Sequence, residues 1–487
     1  MESRDLAALA REAMRERGLE PDFPPSAIAQ TQRLRAPAVD HLPDQRHLPW
    51  CSIDNDDSRD LDQLTVAEAA RDGTRILVAI ADVDVLVTMG TPLDQHAQHN
   101  ASSVYTPAQI FPMLPERLST DLTSLNPDED RVAMVISFTV DADGAVSAGD
   151  VARALVRNRA RLAYDSVSAW LDGNGPSPRE MASAEGIDDQ IRIQDGIAQR
   201  LRGRRHEAGA LDFESSEARA VVADGRIAGL QRVAKNRARA LIEDLMIAAN
   251  GVTARYLEAK GLPSIRRVVR SPKRWDRLQA LAREAGDQLP ADPNPKALSE
   301  FLSRRRRADP VRFPDLSLSV IKLLGRGEYV LTRSHDDEAG HFGLAVTDYV
   351  HSTAPNRRYP DLITQRLLKA AIAGTASPYA SDELDALANH CTKQEDAADK
   401  VERQMRKSAA AFMLSSRIGE RFEAIVTGAS AKGTFVRALD PPAEGKVVRG
   451  AEGLDVGQRV HVTLVRTDVE RGFIDFERTG DHERAGR

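Results

Sequence analysis

The stretch SIDNDDSRDLDQ, residues 52–63, carries five aspartates (Asp54, Asp56, Asp57, Asp60 and Asp62) within nine residues, and only Arg59 offsets them. Carboxylates packed this closely raise one another's pKa unless a cation lies between them. Hard divalent ions such as Mg²⁺ are held by a few carboxylates together with phosphate oxygens and water. The cluster therefore reads as a metal site for chemistry on phosphate esters. Acidic runs are more often solvated loops, but the flanks argue against that here. Leu48, Pro49, Trp50 and Ile53 precede the cluster, and Leu61 and Leu64 lie inside it or just after it. Asp60 and Asp62 are two apart, so on an extended strand they share a face while Leu61 points the other way.

Working outward, residues 41–160 favour strands, at 76–83, 85–87, 132–140 and 151–156, with Asp143-Gly144 as a hairpin signal. Helical periodicity dominates from 160 to 415, most clearly at 236–260, 274–285, 361–373 and 391–418. Pro- and Gly-rich connectors at 172–178, 289–295 and 374–378 mark surface loops. Residues 3–17 predict an amphipathic helix and 26–34 a second short one. The two are compatible with a helix-turn-helix and equally with a packing appendage. Short strands at 423–426, 433–436, 459–466 and 472–477, separated by glycines, suit a small antiparallel barrel.

The 487 residues are enough for about three domains of roughly 150 residues. A net charge of −6 argues against indiscriminate coating of polyanions, but not against binding through a local basic cleft. Two cysteines, Cys51 and Cys391, build neither a disulfide framework nor a zinc site, and point to a reducing cytoplasm. The longest apolar runs are too short to span a bilayer. His96 and His99 are three apart, with no third ligand at zincin spacing. No nucleotide-binding glycine loop is present, so ATP and NAD are not implied.

Three further stretches carry candidate chemistry. NASSVYTPAQIFPMLPERLSTDLTSLNPDEDR, residues 100–131, holds Tyr105 and Phe111 in a proline-punctuated loop. GALDF, residues 209–213, ends in Phe213. YVHSTAPNRRYPD, residues 349–361, places Arg357 and Arg358 in a Pro-bounded turn. Lone aromatics are usually core residues, and adjacent arginines are often solvated. Beside an acidic metal cluster, however, paired arginines suggest a phosphate clamp.

Taken in order from about 41 to 415, these stretches, together with HLPWC before the aspartates, VAIADVDVLV, LIEDLMIAAN and HFGLAVTDYVHSTAPNRRYPDLITQRLLKA, resemble the catalytic RNB domain of the ribonuclease II / ribonuclease R family. Residues 418–478 resemble the RNA-binding OB barrel of the ribosomal protein S-one kind. The fold implied is multidomain α+β. It comprises a short N-terminal helical segment (1–40), an RNB catalytic domain with a mixed sheet surrounded by helices (41–417), and a C-terminal OB-fold β-barrel (418–487).

The resemblance implies a cytoplasmic, monomeric, Mg²⁺-dependent hydrolase, with Mn²⁺ as a possible substitute. Such an enzyme removes nucleoside 5′-monophosphates processively from the 3′ ends of single-stranded RNA, in RNA decay or processing, without a membrane. Asp54, Asp60 and Asp62 match the family's catalytic aspartates, and Gln63 stands where the family's metal motif has a fourth. Arg357 matches the arginine that braces the scissile phosphate, with Arg358 beside it. Tyr105 and Phe213 match the pair that sandwiches terminal bases. Glu243 and Glu402 match acids that hold the terminal nucleotide, although each could instead pair along its helix, with Arg239 and Arg406 respectively. On the barrel, Phe422, Phe435 and Arg437 are expected where an OB fold grips single strands, and Phe422 could equally be core.

Three departures stand out: Gln63 itself, Asn356 in place of an aliphatic residue in the arginine turn, and a helical segment where paired cold-shock barrels usually precede the catalytic domain. Gln63 leaves a second reading, that of a catalytically weakened RNB-like RNA-binding protein.

Overall fold

The structure, a computed structural model, describes residues 3–37, 41–147, 149–213, 218–223, 226–232, 236–310, 312–333, 340–430, 433–454 and 456–479. Its centre is a six-stranded mixed sheet built from β1 (Cys51–Asp54), β2 (Gln63–Ala70), β3 (Gly73–Ala81), β6 (Asp130–Val140), β7 (Asp150–Arg157) and β8 (Ala160–Ala163). The strand order is β7-β6-β3-β2-β1-β8. Every neighbouring pair is antiparallel except β1 with β8, which is parallel. Ile76 to Ala81 of β3 are all buried. A strand covered on both faces reads as a continuous apolar run, which is why it is legible at 76–83. A two-stranded ribbon, β4 (Val104–Tyr105) and β5 (Ile110–Phe111), lies between β3 and β6 in the chain.

Helices cover the sheet: α3 (Pro92–Asn100), α4 (Tyr164–Leu171), α5 (Ile187–Glu207), α6 (Arg237–Ala259) and α10 (Tyr359–Ala373). The Thr65 hydroxyl donates to Gln194 Oε1 at 2.7 Å and the Ala67 amide to Gln190 Oε1 at 2.6 Å, so α5 is bonded to β2. A smaller unit of α7 (Trp275–Glu284), α8 (Pro295–Ala308) and α9 (Phe313–Leu324) has its own core around Trp275, Phe301 and Phe313. A hairpin of β9 (Ala218–Ala223) with β10 (Arg226–Arg232) and an antiparallel pair of β11 (Ser264–Val268) with β12 (Glu328–Thr332), between which α7, α8 and α9 intervene in the chain, complete this region.

Three expectations change. Residues 85–87 do not form a strand; a 3-10 turn spans Val83–Val85 instead. The flanking carboxylates are drawn aside by ion pairs, Asp82 to Arg153 (2.8 Å) and Lys369 (2.6 Å) and Asp84 to Arg366 (2.7 Å). The last long helix, α11 (Ser381–Leu414), starts ten residues earlier than its apolar pattern indicates. Asp382 and Glu383 occupy its first turn, where the helix dipole favours negative charge. A fifth barrel strand, β15 (Glu444–Arg449), goes unrecognised in the sequence because only Gly445 and Val447 alternate inward.

The N-terminal helices α1 (Ser3–Glu16) and α2 (Pro25–Arg33) pack into the body of the protein. Leu6, Ala10, Ala13 and Met14 of α1 join Val104, Phe111, Val401 and Met405 in one apolar cluster, so α1 lies on α11 and on the inner face of the β4–β5 ribbon. His96, on α3, meets Glu20 at 3.2 Å.

The C-terminal strands close a barrel in the order β13-β14-β15-β17-β16, with β13 (Arg421–Ser430), β14 (Gly433–Ala438), β16 (Arg459–Asp468) and β17 (Phe473–Arg478). Its core includes Ala410, Ala411 and Leu414 from the end of α11. Phe422 is buried in that core, edge-to-face with Phe476. Arg437 points at α9 and pairs with Asp315 at 2.8 Å. Two of the three barrel residues expected to face RNA are therefore used for packing and docking. Phe473 is the most exposed large hydrophobic side chain of the barrel among the described residues.

Candidate active site

Asp54 ends β1 and Asp62 immediately precedes β2, so the acidic loop connects two paired central strands. The loop is stapled from both sides. Arg161 donates to the carbonyls of Asp56 (2.7 Å) and Ser58 (2.8 Å). Ser124 Oγ accepts from the Leu61 amide (3.0 Å) and donates to the Arg59 carbonyl (3.0 Å), and the Leu125 amide donates to the Leu61 carbonyl at 2.9 Å. Leu61 is buried. The apolar residues noticed in the sequence thus anchor the loop, and the SLNP stretch is what they anchor to. Asp56 and Asp57 are exposed on its outside.

Asp62 is the buried member. Its Oδ1 accepts from the Asn356 amide at 3.2 Å and its Oδ2 lies 3.3 Å from Arg357 Nε. Burial pushes its carboxyl up to about 7, against the pull of Arg357, and neighbouring Asp60 adds to the rise. Asp54 is shifted in the same direction, chiefly by burial, although it accepts from the Asn55 amide and feels Arg357. Asp60 accepts from Ser58 Oγ at 3.2 Å. The Ala81 amide donates to the Asp62 carbonyl at 3.0 Å, which carries the β2–β3 ladder one residue beyond Gln63. Asp62 and Gln63 are therefore consecutive on extended chain, and their side chains point to opposite sides.

The arginine turn is held by its own bonds. Asp361, fully buried, accepts from the Ala354 amide (2.8 Å) and from Arg358 Nη2 (2.7 Å). Arg358 is thereby committed to the turn, and Arg357 is the one presented to the aspartates. Asn356 is buried and its Oδ1 accepts from Thr123 Oγ1 at 2.6 Å, joining the turn to the end of the PERLS segment.

The ribbon bearing Tyr105 is bonded to the same turn. The Ser103 amide donates to the Arg357 carbonyl at 3.0 Å, and Ser102 bridges Arg358. The Tyr105 amide donates to Glu402 Oε1 at 2.8 Å, while the other Glu402 oxygen lies 4.0 Å from Arg406. The Tyr105 ring is 39% exposed, and burial of its hydroxyl end, close to Arg357, Asp60 and Asp62, pushes that hydroxyl up to about 12. Glu243 is exposed on α6, whereas its neighbour Asp244 is buried between Arg202 and Arg205.

Phe213 is half-buried against the α7–α8–α9 core, and among the described residues no ring contact joins it to Tyr105. Its loop needs Gly209, whose φ is +101° and whose added Cβ would lie 2.5 Å from the Lys296 amide at the start of α8. The structure thus brings Asp54, Asp60, Asp62, Arg357, Tyr105 and Glu402 together, and leaves Phe213 on a separate support. Tyr164 was not legible in the sequence. It opens α4 beside Asp54, with Arg239 lying 4.5 Å over its ring and also donating to Asn55. A lone tyrosine at a strand–helix junction carries no local signal.

A mixed sheet with a carboxylate–arginine junction at the ends of its central strands, followed by a five-stranded barrel, is the class this architecture defines. A sequence profile described as the RNB domain matches residues 43–374, and one described as the RNase II-type exonuclease C-terminal S1 domain matches residues 420–479. The chain belongs to the RNB-domain family. It is 33% identical over 422 residues to Ribonuclease R of Escherichia coli (strain K12), covering 83% of this chain and 51% of that protein. It spans about half the length of the curated relatives it matches first. The structure of Mycoplasma genitalium RNase R in complex with ribose methylated single-stranded RNA shares the fold, with a TM-score of 0.87, 22% identity and coverage of 98% of this chain and 78% of that one. So does yeast Ssd1, a pseudonuclease, with a TM-score of 0.69, 17% identity and coverage of 96% and 57%. Among the described residues no helix is long and apolar enough to cross a membrane.

Proposed function

We propose that this chain is a Mg²⁺-dependent exoribonuclease that degrades single-stranded RNA processively from its 3′ end to nucleoside 5′-monophosphates, in the cytoplasm and as a monomer. The observation that carries this reading is the junction of two bonded pairs, Asp62 with Arg357 and Tyr105 with Glu402, joined through the Ser103 amide on the Arg357 carbonyl.

Among the described residues no three His, Cys, Asp or Glu side chains are set to hold a metal ion by themselves. The donors nevertheless suit Mg²⁺, which is typically held by one or two carboxylates and completed by substrate phosphate and water. Burial raises Asp54 and Asp62, so these carboxylates gain from a nearby cation. Asp54 and Asp60 would hold the ion, with Asp62 behind them. When bound, the ion would lower the pKa of a water and offset charge on phosphate. Arg357 braces the phosphate, and its bond to Asp62 fixes where the guanidinium points. Tyr105 stacks the terminal base and so positions the scissile bond. Glu402, already bound to the ribbon, would accept from the terminal ribose, and Glu243, exposed on α6, would hold the terminal nucleotide. Phe213 becomes the second stacking surface if RNA binding draws its loop towards Tyr105.

The test is hydrolysis of 5′-labelled oligo(A) with and without Mg²⁺. A ladder shortening from the 3′ end, dependent on the metal, supports the reading. Tight binding without hydrolysis would favour the second reading, a weakened RNA-binding scaffold, for which Gln63 is the motivating feature. Gln63→Asp adds a full negative charge next to Asp62, although on the other side of the extended chain, so through its field its turnover is expected to reach half-maximum at a lower Mg²⁺ concentration than the wild type. Mn²⁺ should partly compensate in the wild type. Superimposable titrations would place position 63 outside the coordination shell.

A further inference from the structure

The ribbon carrying Tyr105 has two chemically opposite faces. Its register pairs Val104 with Phe111 and Tyr105 with Ile110. Side chains directly across a pair lie on the same face, with Cβ atoms roughly 5 Å apart. Val104 and Phe111 are buried against α1 and α11. On the other face, Tyr105 is 39% exposed and Ile110 is 55% exposed. Single exposed hydrophobics are ordinary, but Ile110 is the direct neighbour of the residue assigned to stack a base.

It is also held in place. The turn between the strands is closed by Thr106, whose amide and hydroxyl both donate to the Gln109 carbonyl, at 3.2 and 2.6 Å, while the Gln109 amide donates back to Thr106 Oγ1 at 3.1 Å. The Met113 amide donates to Ser103 Oγ at 2.8 Å, fastening the outgoing strand to the incoming one. Alternation along β4 then sets the order of the parts. The amides of Ser103 and Tyr105 face one edge, towards Arg357 and Glu402, and β5 pairs on the opposite edge. Tyr105 is therefore nearer the aspartates and Ile110 one strand further away.

We propose that Ile110 is a substrate-positioning residue. It packs against the nucleobase one step upstream of the base stacked on Tyr105, forming a two-place apolar shelf that helps set how many nucleotides must be held and hence the shortest product. This rests on the RNA-degrading reading above. The occupant is an unpaired nucleobase because the shelf adjoins the arginine–aspartate site through Tyr105, is uncharged, and sets an aromatic ring beside an aliphatic side chain, surfaces that pack on base faces and do not read base edges.

The test measures binding of fluorescein-labelled oligo(A) of three to ten nucleotides by anisotropy on an Asp62→Asn background, and end-product length on the wild-type background. Ile110→Ser is expected to weaken binding of the shortest oligonucleotides about fivefold, at the low end of a base contact, and to lengthen the final product, with the kinetic effect falling on KM. Ile110→Phe should restore or tighten binding. Tyr105→Ala should give the same signature more strongly, whereas Ile193→Ser, an equally apolar exposed site on α5, should give none. Unchanged affinities and product lengths in both Ile110 variants, with circular dichroism matching the parent, would overturn the assignment. A wild-type protein that binds but does not cleave would defeat the enzymatic reading alone, since the anisotropy series still decides Ile110.

Discussion

Asp62→Asn is expected to reduce RNA hydrolysis by two or more orders of magnitude while changing affinity for single-stranded RNA only a few-fold. The carboxylate faces an amide N–H from Asn356 and the Arg357 guanidinium, both donors. An asparagine can satisfy one through its oxygen, but it turns an N–H₂ towards the other. Arg357 loses its fixed direction and the surroundings of the ion lose a negative charge, and both losses are felt where charge develops. Steady-state turnover on oligo(A) beside anisotropy titration checks it, and a variant keeping most of the wild-type turnover would remove Asp62 from the mechanism.

The same substitution carries a stability signature of opposite sign. In the folded protein the Asp62 carboxyl is raised from 3.8 to about 7. Wild-type stability is therefore lost as pH rises between those values and is level above them, with a ceiling of about 4 kcal/mol at roughly 1.4 kcal/mol per tenfold change in proton affinity. Asparagine has no such term. In metal-free buffer the variant's advantage in Tm should grow from pH 4 to pH 7 and then stay constant. A difference that stayed flat over that interval would mean the buried charge is fully compensated, and one that shrank would mean that the fold favours the charged form.

Arg437→Met is expected to destabilise the protein by about 3–5 kcal/mol, the usual cost of removing one partner of a buried ion pair. Arg437 and Asp315 are 13% and 6% exposed and hold the barrel against α9 through two contacts, at 2.8 and 3.4 Å. Without the guanidinium, the Asp315 carboxylate stays buried beside apolar helix. The double variant Arg437→Met/Asp315→Leu should recover most of the loss, since an apolar pair of similar volume needs no desolvation of charge. Urea unfolding of both variants decides it: equal losses in the single and the double would mean the side chains matter by packing alone. Removing residues 418–487 would also uncover Ala410, Ala411 and Leu414 of α11, which belong to the barrel's core.

Residue type and local periodicity settle a good deal here. The crowded aspartates announce cation and phosphate chemistry because like charges need a counter-charge. The apolar runs at 76–83 and 132–140 announce strands buried on both faces, and glycine-spaced short strands announce a barrel. The ordered stretches from HLPWC to the arginine turn carry the family and thereby name Asp62, Arg357 and Tyr105 as candidates, and the match names Glu402 further along. Each of these signals is written in residue type and order along the chain, and needs no knowledge of what packs where.

Contacts between distant segments were decided by the tertiary structure alone. Asp62 meets Arg357 across 295 residues and Tyr105 meets Glu402 across 297. Of two adjacent arginines, the bond to Asp361 takes Arg358 into the turn and leaves Arg357 for the aspartates. Residues 85–87 have strand-forming side chains, yet α10 supplies cations that bend them into a turn. Phe422 and Arg437 suit an RNA-facing barrel in isolation, and docking against α11 and α9 uses them inside instead. Propensity describes what a segment prefers alone. Which of its polar atoms stay free for a substrate depends on the partners that folding brings to it.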